Sequence, residues 1–287
     1  MGPKLKIVSA MMIFGTISIF VKNIPLPTGE IALFRAIIAA LAIAVFKLAW
    51  EKKIFFPNIK KDLHLLFISG AAMGFNWILL FQAYKYTTIS IATLSYYFAP
   101  VIVTVACPVI FREKLTIKQI ICFTMATIGL FFIIGIGGLN QSAGNLMGIG
   151  FGLGAAVLYA TVIILNKFIR TVTGIDRTLI QIFAAIIVLA PYVFSTTGIH
   201  LAQIGNIGIA SLLILGLVHT GFAYVLYFSS LKDLRGQEVA ILSYIDPLVA
   251  VLVSITIFSE AIGPLQIIGG MMILGFTLLN EIKLKPV

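Results

Sequence analysis

One carboxylate stands deep inside an apolar stretch, and this position makes it the first candidate for chemistry. Asp246 directly precedes Pro247 and lies about nine residues into the run that begins at Gln237, roughly 13 Å along a helix axis. If the run crosses a bilayer, a carboxylate there is costly unless it is protonated, paired or hydrated. Two roles remain open for Asp246. It carries a coupling proton or pairs with a substrate amine, or it caps backbone groups freed by the helix break at Pro247.

Arg35 is the second charged candidate. It lies one or two helical turns inside the apolar run that begins at Glu30. Its planar guanidinium suits two-pronged binding of a substrate carboxylate. A salt bridge with Glu30, or extension of the side chain to the lipid headgroups, is the more ordinary role for such a residue, and we expect the ordinary role here.

Aromatic and polar side chains supply the other candidates. The aromatic residues lie too deep for an interfacial belt, so we expect them to line a polar-edged cavity for an amphiphilic solute or, by cation–π contact, an amine. Packing of each ring is the alternative. Intramembrane polar residues bond between helices by default, and we retain His219 and Asn76 as cavity candidates. The predicted substrate-cavity residues are Asp246, Tyr97, Tyr244, Trp77, Tyr224, His219, Asn76, Arg35 and Phe81.

The two halves of the chain repeat one another. Tyr97-x-x-Pro100 followed by Glu113 returns, 147 positions later and without a gap, as Tyr244-x-x-Pro247 followed by Glu260. We expect both Glu residues to hold the loop after their helix. The echo predicts two copies of one membrane unit, residues 1–140 and residues 141–287. The same register matches Gly74 with Gly221, Trp77 with Tyr224, Phe81 with Phe228, Lys85 with Lys232, and Gln119 with Gln266.

Composition requires lipid as the solvent for most of the surface. Hydrophobic residues make up 60% of the 287 residues and charged residues 10%, against roughly 25% charged in a soluble domain. The net charge of +10 forms no basic face or tail, so we expect no nucleic-acid partner. Runs of roughly 18 to 20 apolar residues cross a bilayer as helices. The ten predicted spans are Leu5–Val21, Glu30–Trp50, Leu63–Tyr84, Ser90–Phe111, Ile117–Gly135, Leu146–Lys167, Arg177–Ser195, Ile207–Ser229, Gln237–Phe258 and Leu265–Glu281.

The distribution of cations predicts the orientation. With a cytoplasmic N-terminus, 17 of the 20 Lys and Arg residues fall on the inside, and only Lys22, Arg35 and Lys85 fall on the other side. Both termini are therefore predicted to be cytoplasmic. Because five spans is an odd number, the second unit crosses the membrane in the opposite sense to the first. The predicted fold is an all-α integral membrane protein of ten helices in two inverted five-helix repeats, an architecture that permits alternating access.

These motifs resemble those of the ten-helix EamA-type transporters of the drug/metabolite transporter superfamily. The resemblance rests on the mid-helix Pro and following Glu of spans four and nine, the Phe34-Arg35 pair and the Asp246-Pro247 pair, and it covers essentially the whole chain. It implies a central cavity lined mainly by spans 1–4 and 6–9, with spans five and ten peripheral. Members of the family move amino acids, sugars, nucleotide conjugates, amines and drugs, many of them outward.

The function expected from these features is secondary transport of small metabolites in the cell membrane, with export of amino acids or related compounds as the leading hypothesis. A proton-coupled transporter of organic cations that uses Asp246 and a passive facilitator are the alternatives. The sequence contains no HExxH motif, nucleophile elbow or nucleotide-binding motif, so we expect neither an enzyme nor an ATP-driven pump. We expect no cofactor or metal, and a monomer suffices because one chain contains both repeats.

Overall fold

The computed structural model describes residues 2–51, 59–111, 116–134, 143–172, 174–230, 234 and 242–281, and these residues form an all-helical protein. Two short segments, Lys47–Glu51 and Leu217–Phe222, are π-helical and continue the helices that end at Phe46 and Gly216. The α-helices in chain order are α1 (Pro3–Gly15), α2 (Ile17–Lys22), α3 (Thr28–Phe46), α4 (Leu63–Tyr86), α5 (Ile89–Tyr96), α6 (Ala99–Phe111), α7 (Ile117–Ile134), α8 (Ala143–Phe168), α9 (Gly174–Thr196), α10 (Asn206–Gly216), α11 (Ala223–Ser230), α12 (Ile245–Thr256) and α13 (Pro264–Glu281).

Helical segments occupy all ten predicted spans within the described residues. Six continuous segments are long and apolar enough to cross a membrane, and four shorter apolar helices occupy spans four, five, nine and ten. The first residues of span nine, 237–241, lie outside the described part of the chain. Large apolar side chains such as Leu41, Phe131 and Ile207 are 62%, 65% and 74% exposed. Such a surface suits lipid, and the protein is a multi-pass membrane protein.

Small residues let the central helices approach one another closely. A Cβ added to Gly148 would lie 2.6 Å from the Thr87 side chain, and one added to Gly152 would lie 2.9 Å from Ser95. Further along the same stripe of α8, Ala156 and Ala160 are buried. This stripe packs α8 against α4 and α5, as its four-residue spacing predicts.

The fifth helix of each repeat stands apart from this centre. Within the described residues, α7 packs mainly against α13, and a Cβ on Gly129 would lie 2.7 Å from the carbonyl oxygen of Gly269. The peripheral position of spans five and ten matches the expectation from the family resemblance.

Within the described residues, four interruptions of regular helix lie inside the spans, away from the π-helical end of α3. Two accompany the repeated prolines, because Pro100 and Pro247 cannot donate a backbone hydrogen bond. The other two fall at Thr16 and at the π-helical segment Leu217–Phe222, where the sequence predicts continuous spans. Threonine side chains explain the difference: the hydroxyl of Thr16 donates to the carbonyl of Ile13 at 2.8 Å, and that of Thr220 donates to Leu215 at 3.0 Å. Such local bonds compete with the regular helical ladder.

Candidate functional site

The two copies of the repeated motif meet through a hydrogen bond. The Tyr97 hydroxyl, at the C-terminal end of α5, donates to Oδ2 of Asp246 at 2.5 Å. Asp246 lies in the first turn of α12, where the free backbone N–H groups of a helix start favour a negative charge. The predicted carboxylate therefore has a defined partner, and that partner comes from the other repeat.

Close helix packing fixes the position of this pair. A Cβ added to Gly15 would lie 2.7 Å from the carbonyl oxygen of Asp246 and 2.6 Å from Cβ of Val249. The last residue of α1 thus lies directly against the start of α12. A larger residue at Gly15 would push the two helices apart, because backbone cannot yield as a flexible side chain does.

Arg35 occupies an aromatic site with an incomplete set of polar partners. Its side chain is 2% exposed, and its Nε donates to the Thr220 hydroxyl at 2.6 Å. The guanidinium carbon lies 4.6 Å from the ring centroid of Trp77 and 5.5 Å from that of Phe81. The Nη1 atom is buried and has no hydrogen-bond partner. Burying a charge costs several kcal/mol, whereas a cation–π contact returns about 0.5–2 kcal/mol.

The expected partner of Arg35 is engaged elsewhere. Glu30 is fully buried, and its carboxylate accepts from the backbone N–H of His200 at 2.8 Å and lies 3.3 Å from the His200 ring Nδ1. Arg35 is also too deeply buried to extend to the headgroups. The ordinary role expected for Arg35 is therefore wrong in both forms, because Glu30 binds a loop residue that is distant in sequence.

His219 belongs to the polar framework around this site. Its Nε2 lies 3.0 Å from the Thr16 hydroxyl, and its Nδ1 lies 3.3 Å from the Ile214 carbonyl. The Phe20 ring lies 4.8 Å from the imidazole. His219 therefore connects the interruption between α1 and α2 to the π-helical segment whose Thr220 holds Arg35.

Tyrosines connect the Asp246 and Arg35 ends of the site. Tyr96 packs edge-on against Tyr97, with 5.8 Å between ring centroids. Tyr84 and Tyr96 both interact electrostatically with Asp246 and with Arg35. No salt bridge joins the guanidinium to the carboxylate in the described structure. We call Arg35, Trp77, Tyr84, Tyr96, Tyr97 and Asp246 the central cluster.

Of the other predicted cavity residues, some lie beside the central cluster and others make contacts elsewhere. Tyr224 packs edge-on against Phe14 and Phe228, with centroids 5.6 Å and 5.9 Å away, and interacts electrostatically with Arg35. Asn76 instead donates to the Ala155 carbonyl at 2.6 Å, which joins α4 to α8. Tyr244 lines a groove of about 500 Å³ between α12 and α13. Its repeat counterpart Tyr97 donates to Asp246.

Glu260 organises one end of the bundle. Its Oε1 lies 2.9 Å from Nζ of Lys22, and its Oε2 accepts from the free N–H of Ile89 at the start of α5, at 2.8 Å. The Ser254 hydroxyl also donates to Glu260 and accepts from Ser90 at 2.7 Å. We call these five residues the Glu260 network. The prediction that Glu260 holds its loop is confirmed, whereas Glu113 lies outside the described residues.

At another loop, Asp62 accepts from the backbone N–H groups of Thr171 and Arg170, each at 2.9 Å. These bonds, that to Thr171 first, hold the pKa of the Asp62 carboxyl below its usual value because they favour the charged form. Asp62 joins the start of α4 to the segment after α8, so it holds two loops together.

Sequence reasoning missed several members of the site. Thr16, Thr220, Tyr84 and Tyr96 were not among the predicted residues, although each contacts or adjoins one that was. The available signal was hydroxyl side chains inside apolar spans. That signal is weak, because such residues usually bond to their own helix.

Comparison with known proteins agrees with this architecture. The sequence model of the EamA-like transporter family matches residues 4–135 and 146–281. The uncharacterised transporter YxxF of Bacillus subtilis (strain 168) is 30% identical over 276 residues, which cover 93% of this chain and 87% of that protein. An uncharacterised transporter of Archaeoglobus fulgidus is 30% identical over 279 residues, covering 95% and 94% of the two chains. One protein crystal structure shares the fold, with a TM-score of 0.63 at 17% identity over 96% of this chain and 95% of that one.

Proposed function

The chain belongs to the EamA-like transporter family, and from this premise we propose that it is a secondary carrier that exports amino acids or closely related compounds by alternating access. The contact between Tyr97 and Asp246 carries the proposal. It joins the two repeats at their helix interruptions, where a movement of one repeat against the other changes the surroundings of a bound solute.

The chemistry of the central cluster suits a small solute with a cationic group. Asp246 supplies a carboxylate oriented by one phenol, and Tyr84, Tyr96 and Trp77 supply aromatic surface. A protonated amine pairs with the carboxylate and also interacts favourably with aromatic faces. An amino acid carries such a group on a compact body, and the aromatic surface suits an apolar side chain.

The Glu260 network supplies a gate for the proposed cycle. If both termini are cytoplasmic, Lys22, Ile89 and Glu260 lie at the outer end of the bundle. Their bonds join α2 and α5 of the first repeat to the loop after α12 of the second. These bonds must break before the outer end opens. A carrier that rests with its outer end bonded takes its substrate from the cytoplasm, which supports export.

Counterflow in proteoliposomes tests the proposal. Purified full-length protein, loaded with unlabelled substrate, is offered a panel of labelled amino acids and amines with and without a pH gradient. We expect at least one amino acid to exchange with trans-stimulation. We expect Asp246→Asn to lower that exchange by at least about tenfold, since a hydrogen bond to a charged group contributes about 1.5–3 kcal/mol. Asp62→Asn is the matched control, because it makes the same change outside the spans.

Three outcomes contradict parts of this proposal. Substrate movement without trans-stimulation indicates a passive facilitator. Exchange of amines that follows the pH gradient, and loses that dependence in Asp246→Asn, identifies a proton-coupled transporter of organic cations. The half-buried Asp246 makes this the second candidate. If Asp246→Asn and wild type exchange amino acids equally, the protein is still a carrier, but Asp246 has a structural role.

A further inference from the structure

We propose that the Arg35 guanidinium is a binding subsite for a substrate carboxylate, so that the carrier accepts small carboxylates and, with Asp246 as partner of the ammonium group, zwitterionic amino acids. The inference rests on the proposed function and names its substrate class. It starts from the Nη1 atom of Arg35, which has no hydrogen-bond partner. A buried polar atom normally has one, and Arg35 is only 2% exposed.

No described carboxylate neutralises Arg35. Glu30 binds His200, Asp176 pairs with Lys47, and Glu260 pairs with Lys22. Of the other carboxylates whose side chains the structure describes, Asp62 is bonded to a loop backbone and Asp246 is bonded to Tyr97. A guanidinium cannot lose its charge by deprotonation in a protein. Its environment therefore contains a permanent cation and lacks an anion, and this is the complement of an anionic ligand.

The contacts of Arg35 leave part of its guanidinium free to donate to a ligand. The Nε atom donates to the Thr220 hydroxyl. The rings of Trp77 and Phe81 cover the guanidinium without supplying acceptor oxygens. Gly216 and Gly221 let α3 approach this segment: a Cβ on Gly216 would lie 2.5 Å from Cβ of Ile38. The side chain is thus fixed by packing and by one hydrogen bond, while its Nη1 keeps its donors for a planar anion.

The expected ligand group is a single carboxylate. The planar donor pair of a guanidinium matches the two oxygens of a carboxylate. Tyr84, Tyr96 and Tyr224 also interact electrostatically with Arg35. The Asp246 carboxylate shares Tyr84 and Tyr96 as neighbours without forming an ion pair with Arg35. An amino acid placed between the two groups satisfies both charges at once.

Matched ligand series and Arg35 variants test the subsite. Phenylalanine, leucine and threonine are each compared with the amine that lacks the carboxylate (phenethylamine, isopentylamine and 1-aminopropan-2-ol). The two readouts are inhibition of counterflow in proteoliposomes and ligand-induced thermal stabilisation of the full-length protein in detergent. For at least one pair, we expect wild type to bind the amino acid at least tenfold more tightly than the amine.

The variants separate charge from geometry. Arg35→Gln and Arg35→Met remove the cation, and we expect the preference for the carboxylate to fall below twofold. Arg35→Lys keeps the charge and loses the planar fork, so we expect weaker binding of the amino acid with the preference retained. Lys85→Gln, which removes a cation that instead bonds to the Leu26 carbonyl, is the control and should keep the wild-type preference.

Several results overturn the subsite, and they differ from a failure of the carrier proposal. Equal binding of each amino acid and its amine by wild type contradicts it, as does an unchanged preference in a folded Arg35→Met protein. If neither neutral variant folds, Arg35→Lys decides: loss of the preference in a protein that keeps a positive charge contradicts the proposal. Carboxylate-selective thermal stabilisation without counterflow contradicts the carrier and supports the subsite. Counterflow of amines alone contradicts the subsite and retains a carrier.

Discussion

The two helix interruptions that carry the repeated motif share their backbone and differ in their chemistry. Both contain Tyr-x-x-Pro, and both interrupt regular helix at the tyrosine: Tyr97 is the C-cap of α5 and Tyr244 is the N-cap of α12. Tyr97 bonds to the carboxylate of the other repeat, whereas Tyr244 lines an apolar groove beside α13. At the residue before each proline, the first copy has Ala99 and the second has Asp246. The two repeats therefore share the interrupted helix, and they differ in that only the second has an acid before its proline.

The asymmetry has a physical reason. Each proline removes a backbone donor wherever it stands, so both copies interrupt the helix. A carboxylate among apolar spans is tolerated only with partners, and Asp246 has the Tyr97 phenol as its partner. Ala99 has no such requirement, since its apolar methyl group is fully buried.

The largest expected effect comes from making the two copies alike. Ala99→Asp places a second carboxylate at a fully buried position, where an unpaired charge costs about 3–5 kcal/mol. We expect most of the protein to be lost to aggregation, measured as the monodisperse fraction in detergent by fluorescence-detected size exclusion. Ala99→Ser, of similar size and uncharged, is the control. Wild-type behaviour of Ala99→Asp would show that the two interruptions are chemically equivalent.

An intermediate effect is expected from the two tyrosines. Tyr97→Phe removes the donor to Asp246, and loss of a hydrogen bond to a charged group costs about 1.5–3 kcal/mol. We expect at least about a tenfold loss of substrate affinity in counterflow. Tyr244→Phe is the matched change in the other copy and should alter affinity less than twofold. Equal losses in the two variants would contradict the assignment of Tyr97 alone to the site.

The smallest effect is expected at the glutamates that end the motif. Glu260→Gln weakens the pair with Lys22, and a partly exposed salt bridge contributes about 0–1 kcal/mol. We expect the Tm in detergent to fall by about 2 °C. Glu113→Gln should lower the Tm equally, because the repeat predicts the same loop-holding role. A drop confined to Glu260→Gln would extend the asymmetry from the centre to the ends of the bundle.

The fold was largely predictable because lipid imposes simple rules. Apolar runs of spanning length gave helices at all ten expected places, and the stripe from Gly148 to Ala160 gave close packing of α8. The interruptions at Thr16 and Leu217–Phe222 were not predictable, because threonines inside a span also occur in unbroken helices. The partner of Glu30 was missed because His200 is distant in sequence.

The sequence alone determined the membrane setting, the ten spans, the repeat and the identity of the central acid. These follow from composition and from a period of 147 positions, which need no knowledge of contacts. Tertiary structure decided that Tyr97 of the first repeat binds Asp246 of the second, that Glu30 binds His200, and that Arg35 keeps an unpartnered nitrogen among aromatic rings. Hydrogen bonds and cation–π contacts act over a few ångströms, so which residues make them depends on how helices far apart in the chain pack together.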